Sequence, residues 1–222
     1  MARNEYQNRL EGLREDVLHM GETVRERLGI ALRALEERNE ALGREVIERD
    51  YEINETYLEL ERECTDLIAL QQPVAGDLRF IAASFKIITD LERVADLATN
   101  LGEYAGRAER EIYPDVDVGH IGERVDEALG EAMAAYAEED VEACYAIAER
   151  DEEIDDLCER ASELVIRDLI ETDMDGAETE RLFGEVSRLL LTVRDLERVG
   201  DHAVNIAART LYMVESDDEL IY

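Results

Sequence analysis

"DLERVADLATN", Asp90 to Asn100, returns as "DLERVGDHAVN", Asp195 to Asn205, one hundred and five positions later. Eight of the eleven positions are identical. Further matches lie upstream of each copy. "ERDYEIN" (Glu48–Asn54) recurs as "ERDEEID" (Glu149–Asp155) at an offset of 101, and at that offset Leu28-Gly29 matches Leu129-Gly130. The order of the matched segments is the same in both halves, which reads as an internal duplication. The change of offset places about four extra residues ahead of the last helix of the second copy.

Apolar periodicity gives each copy its elements. Leu10, Leu13, Val17, Met20, Val24, Leu28, Ala31 and Leu35 recur in steps of three and four, so residues 4–37 read as an amphipathic helix. A second stripe runs through Val46, Ile53, Tyr57, Leu60, Cys64 and Leu67, and stops at "QQPVAGD". A third helix is expected from about Val74 to Arg110, and "EIYPDVDVGH" around Pro114 reads as the linker between copies. Three more helices are expected near 117–138, 140–172 and 177–213. The fold class is therefore all-α: six long helices in two tandem three-helix bundles, residues 1–112 and 116–214, with 215–222 as a mobile acidic tail.

Composition limits the partners. The 222 residues hold 57 acids against 24 bases, for a net charge of −33. Such a surface repels nucleic acid and anionic lipid. Lys86 is the only lysine, a balance that suggests adaptation to high intracellular salt. The three cysteines form no CxxC and sit in helical stripes, as small core residues do. The polar start and the lack of any 18-residue apolar run give a soluble, cytoplasmic expectation with no membrane insertion.

The acids of the repeated segments need care. With 57 acids in the chain, chance alone supplies roughly fourteen acid pairs four residues apart. Arg93 and Arg198 can also bridge their neighbouring aspartates at i−3 and i+3. The core stripes are more telling. Glu197 stands in the stripe Val186, Leu190, Val193, Gly200, Val204, and Glu92 stands likewise after Ile81, Phe85 and Ile88. Asp50 and Asp151 interrupt the second and fifth stripes in the same manner. Acids are almost never fully buried unless paired. Folding each hairpin at its turn puts Asp50 beside Asp96 and Asn54 beside Glu92, and Asp151 near Glu197 and Asp201, with Asp155 one turn away.

Three readings of these clusters stand side by side: an arginine-paired network, a raised-pKa dyad for acid–base catalysis, and a metal site. The metal reading leads. Its ligands Asp50, Glu92 and Asp96 in one copy, and Asp151, Asp155, Glu197 and Asp201 in the other, are all oxygen donors suited to Mg²⁺, Ca²⁺, Mn²⁺ or iron, and less readily to Zn²⁺. Asn100, Asn205 and His202 are accessory candidates. No paired Glu-x-x-His, GxxxxGK[ST], GxSxG or HExxH motif occurs, so a di-iron oxidase, nucleotide hydrolase, serine hydrolase or zinc protease is not indicated.

"LQQPVAGDLRFI" (Leu70–Ile81), "DLERVAD", "ERDEEID" and "DLERVGDHAVNIA", in that order over nearly the whole chain, resemble the PhoU family. The resemblance implies two three-helix-bundle repeats with E/DxxxD motifs that in some members bind iron or zinc clusters. It implies a cytoplasmic, often dimeric regulator that holds down phosphate uptake. Its partners would be the ATPase of a phosphate ABC transporter and, in bacteria, a sensor histidine kinase. Carried onto this chain, the motifs fall on Asp50 with residue 54, Glu92 with Asp96, Asp151 with Asp155, and Glu197 with Asp201. Residue 54 is asparagine where the family has an acid, so the first site is expected to be the weaker. A salt-adapted archaeal source would leave the kinase partner in question and keep the transporter ATPase.

Overall fold

Among the described residues every regular element is a helix. The computed structural model describes residues 2–71, 73–107, 116–171 and 177–221. In chain order the elements are α1 (Ala2–Glu37), α2 (Glu40–Glu48), α3 (Asp50–Gln71), α4 (Ala75–Arg107), α5 (Val118–Glu138), α6 (Val141–Glu171) and α7 (Ala177–Glu215). The first bundle is built from α1 to α4 and the second from α5 to α7, as the duplication predicts. The first half of the expected linker, residues 111–115, lies outside the described residues, as do residues 108–110 at the expected end of the third helix and residues 172–176.

The helix starts are chemically marked. Asn39 accepts hydrogen bonds from the Ala41 and Leu42 amides at the head of α2. Asp117 accepts one from the His120 amide at α5, and Asp140 one from the Ala143 amide at α6. Glu139, between α5 and α6, takes the left-handed conformation at φ 57.

One core runs through both halves. Val17, Val24 and Leu28 of α1, Ile88, Leu91 and Ala98 of α4, and Leu196, Val199 and Ile206 of α7 are all fully buried in it. Cys64, Cys144 and Cys158 are free and buried, as expected of small core residues. α1 and α5 lie antiparallel, joined by an Arg25–Asp126 ion pair of 2.8 Å. A buried hydrogen bond of 2.8 Å links Ser84 of α4 to the Tyr136 hydroxyl of α5.

Two expectations are corrected. The second helix is not continuous, because it breaks at Arg49, where φ is −103 and ψ is 3. Neither proline nor glycine marks that point. The cause lies in the packing of α2 on α4: a Cβ placed on Gly43 would come 2.3 Å from the Gly102 carbonyl oxygen. Backbones that touch in this way pull α2 out of line with α3. In the second copy the same places hold Cys144 and Ala207, and α6 runs unbroken through Arg150. Glu52 of α3 ties the break together, accepting from Arg49 at 3.1 Å and from the buried Arg27 of α1 at 2.9 Å.

The acidic tail is the second correction. Residues 216–221 fold back onto the bundle rather than trailing away. Leu220 is buried, Ile221 packs on the core, and the Tyr145 hydroxyl reaches Glu219 at 3.4 Å. Two terminal apolar side chains outweigh the acids that precede them.

Candidate functional site

The repeated segments meet. α4 and α7 cross antiparallel, so that each copy of the motif bonds to the other. Asn205 donates to Asp90 at 3.5 Å, and Asn100 donates to Asp195 at 3.2 Å. This is one pair of residue types used twice across a local two-fold relation. His202 adds its Nδ1 to Asp90 at 2.9 Å, and the Tyr104 hydroxyl donates to Asp195 at 3.0 Å. Asp195 is fully buried and also holds Arg194 at 2.8 Å.

Asn100, Asn205 and His202 are therefore joints between the repeats rather than spare ligands on their own copies. The bridging that the two arginines could supply is met only in part. Arg198 reaches only Asp195, at 3.9 Å, and Arg93 makes no ion pair among the described residues. Sequence reasoning missed Asp195 and Asp90 as structural residues. Their signal was the recurrence of Asn at the last position of each segment, ten residues after the aspartate.

The other acids lie toward the α3–α4 and α6–α7 hairpins, with Glu92 and Asp96 sharing a cleft with Asn100 and Arg198. In the second hairpin Asp151, Asp155 and Asp201 each offer a carboxylate oxygen, and these oxygens lie within 4.8 Å of one another. Asp151 is half-buried, and its Oδ1 is buried with no hydrogen-bond partner. A Cβ on Gly200 would stand 3.0 Å from that oxygen, so the glycine makes its room. Burial first, and then Asp155, Asp201 and Glu197, push the Asp151 carboxyl up to about 7. Burial also raises Asp155 and Glu197, with Asp201 adding to both. No arginine answers these four acids within ion-pair distance among the described residues.

The first hairpin is arranged differently. Asp50 accepts from the Asn54 amide at 2.7 Å and from the Thr99 hydroxyl at 3.4 Å, so both of its oxygens are engaged. Burial raises Glu92, then Asp96 and Asp50 add to the rise while Arg93 and His202 oppose it. Burial and Asp50 raise Asp96. Asp50, Glu92 and Asp96 are thus neighbours, but among the described residues they form no close oxygen triad such as that of Asp151, Asp155 and Asp201. Beside them opens a cleft of about 720 Å³ with Tyr57, Thr89, Glu92, Arg93, Asp96 and Arg198 among its lining residues.

The donor set of the second hairpin suits a hard or borderline cation. Its acids are oxygen donors, they converge, they have no internal counter-cation, and one oxygen is left orphaned. Asp151, Asp155 and Asp201 are the residues that would hold such an ion, with Glu197 beside them.

The model of the PhoU domain matches this chain twice, over residues 17–105 and 118–210. The chain belongs to the PhoU family. A phosphate-specific transport system accessory protein PhoU homolog of Pseudomonas aeruginosa is 33% identical over 215 residues, which cover 94% of this chain and 85% of that one. A PhoU homolog 1 of the same description from Methanothermobacter thermautotrophicus is 32% identical over 212 residues, covering 94% of each. The crystal structure of PhoU from Pseudomonas aeruginosa superposes with a TM-score of 0.86 at 31% identity, over 96% of this chain and all of that one. The Streptococcus pneumoniae phosphate transport system regulatory protein PhoU gives 0.87 at 23% identity, over 96% of this chain and 98% of that one, which concerns the fold alone. Each PhoU domain match falls within one half of the internal repeat. No helix among the described residues is long and apolar enough to cross a membrane.

Proposed function

We propose that this chain is a non-enzymatic, metal-binding regulator of phosphate homeostasis that holds down uptake by a phosphate ABC transporter. One observation carries the metal part: three convergent carboxylates, one with an orphaned buried oxygen, lie in the second PhoU domain. The phosphate part is supported by relatives described as phosphate-specific transport system accessory proteins, which match most of both chains. The ATPase subunit of the transporter is the proposed cytoplasmic partner, with a sensor histidine kinase as a second partner where one exists. The proposed assembly is a homodimer.

Asp151, Asp155, Glu197 and Asp201 form the principal site. Its bound cation would neutralise the acids and fix α6 against α7, so that metal supply and the rigidity of that hairpin are linked. The first site has a different observation behind it. Asn54 and Thr99 already satisfy Asp50, which favours a structural role for that copy, with Asp50, Glu92 and Asp96 binding an iron- or zinc-type cation weakly.

Elemental analysis of native protein, purified without chelator, tests the metal claim. Metal should be present and should fall in the Asp155→Asn/Asp201→Asn double variant; content unchanged by that variant refutes it. A deletion strain tests the regulation: phosphate uptake should stay high in rich phosphate, and normal repression overturns the proposal.

A further inference from the structure

The acid-bearing face of the α6–α7 hairpin does not end at the acids. Ile166 follows Asp155 by about three helical turns, and Ile170 by about four. Phe183 precedes Asp201 by about five turns and so shares its face. The antiparallel register brings Ile170 level with Phe183. These side chains are open to solvent: Ile170 is 78% exposed, Phe183 52% and Ile166 47%.

The first copy carries this surface only in part. Its counterparts of Ile166 and Ile170 are Thr65 and Ala69, whereas Phe183 answers to Leu78, itself 42% exposed. The two isoleucines are what the second hairpin adds. A face that is apolar at one end and unpaired acid at the other selects its occupant by charge as well as by shape. A second copy of the chain would bring another net charge of −33 against it.

We infer that the α6–α7 face is the docking site for an amphipathic helix of a partner protein, whose apolar side chains seat on Ile166, Ile170 and Phe183 while its arginines or lysines reach Asp155 and Asp201. From Asp155 to Ile170 the face runs about 22 Å, the length of about fifteen helical residues. Helix-in-groove recognition needs no more than this. The inference concerns the metal-free chain, in which the bare acids attract the basic end; a cation held by Asp155 and Asp201 would compete with the helix for them.

The test uses the full chain in chelator and a fluorescent synthetic helix of about sixteen residues. Its first half carries leucines on one side, and its second half carries three arginines on the same side. A scrambled peptide of identical composition is the control. The ordered peptide should bind at least roughly tenfold more tightly than the scrambled one in anisotropy titrations. Ile170→Ser/Phe183→Ser should reduce it to the scrambled level. Asp155→Asn/Asp201→Asn should weaken it and flatten its salt dependence. All these positions are exposed or half-exposed, and circular dichroism is to check that the variants fold. Equal binding of the two peptides, or binding unchanged by Ile170→Ser/Phe183→Ser, overturns the inference. So does light scattering that shows the wild type to be a dimer and that variant a monomer, which would assign the face to a second copy. Uptake onto phosphatidylcholine vesicles through the same two residues would assign it to lipid, and also overturns it.

Discussion

Replacing Asp151 by asparagine should stabilise the metal-free chain while removing its response to metal. The carboxyl is pushed up to about 7 from an ordinary 3.8, first by burial and then by Asp155, Asp201 and Glu197. A shift of about three pH units, at about 1.4 kcal/mol each, sets a ceiling near 4 kcal/mol. Water reaching the half-buried group lowers the expected value to about 2 kcal/mol. The sign follows from proton counting. Between about pH 4 and 7 the folded chain keeps a proton that the unfolded chain has released, so wild-type stability falls as pH rises through that window and is lowest above it. Asparagine does not titrate. Its advantage is therefore full near pH 8 and fades towards pH 4. For a chain of this size 2 kcal/mol corresponds to a Tm rise of about 4–8 °C. Thermal melts in chelator at several pH values measure it. Added Mn²⁺ or Zn²⁺ should then raise the wild-type Tm and leave that of Asp151→Asn nearly unmoved. A variant less stable than wild type in chelator near pH 8, or a gain that ignores pH, refutes the reasoning.

Asp195→Ala strands Asn100 and Tyr104 at the joint between the repeats and should cost about 2–4 kcal/mol by denaturant unfolding, more than Asp90→Ala. Gly43→Ala should cost about 1–3 kcal/mol because its Cβ meets the Gly102 carbonyl, whereas Gly12→Ala, with nothing within 4 Å, should gain up to about 1 kcal/mol. Asn54→Asp breaks the bond that occupies Asp50 and adds a fourth acid to the first site; calorimetric titration with Mn²⁺ should show a second, tighter binding event absent from the wild type. Raising salt from 0.1 M to 1 M should raise Tm as screening shortens from about 10 Å to about 3 Å, since the net charge is −33.

The helical stripes and the duplication were legible because apolar steps of three and four, sustained over about thirty residues, match the helical period and no other. The stripe interruptions at Glu92, Glu197, Asp50 and Asp151 also carried through: all four side chains lie half-buried in their hairpins. The break at Arg49 was not legible, because its cause is a contact between glycines 59 residues apart. The tail's charge points away from the bundle, whereas the buried Leu220 and the packed Ile221 hold its end against the core. The hardest residue was Asp195. Nothing local separates it from the many exposed acids of this chain, and only the crossing of α4 over α7 reveals that it is buried. Which acids converge is likewise a matter of side-chain geometry. Asn54 sets the first copy apart and bonds to Asp50, whereas Gly200, which gives Asp151 its space, is one more small residue in a stripe.

The reciprocal Asp90–Asn205 and Asp195–Asn100 bonds have the form of a symmetric dimer interface, in which each side offers the other the same two groups. Such an interface between separate chains would oblige both halves to be identical. Joined in one polypeptide, the halves keep the contact without that obligation. This chain uses the freedom: Asn54 corresponds to Asp155, Leu97 to His202, and Thr65 and Ala69 to Ile166 and Ile170. The covalent tie is what permits the two halves to diverge in sequence while the contact between them is kept.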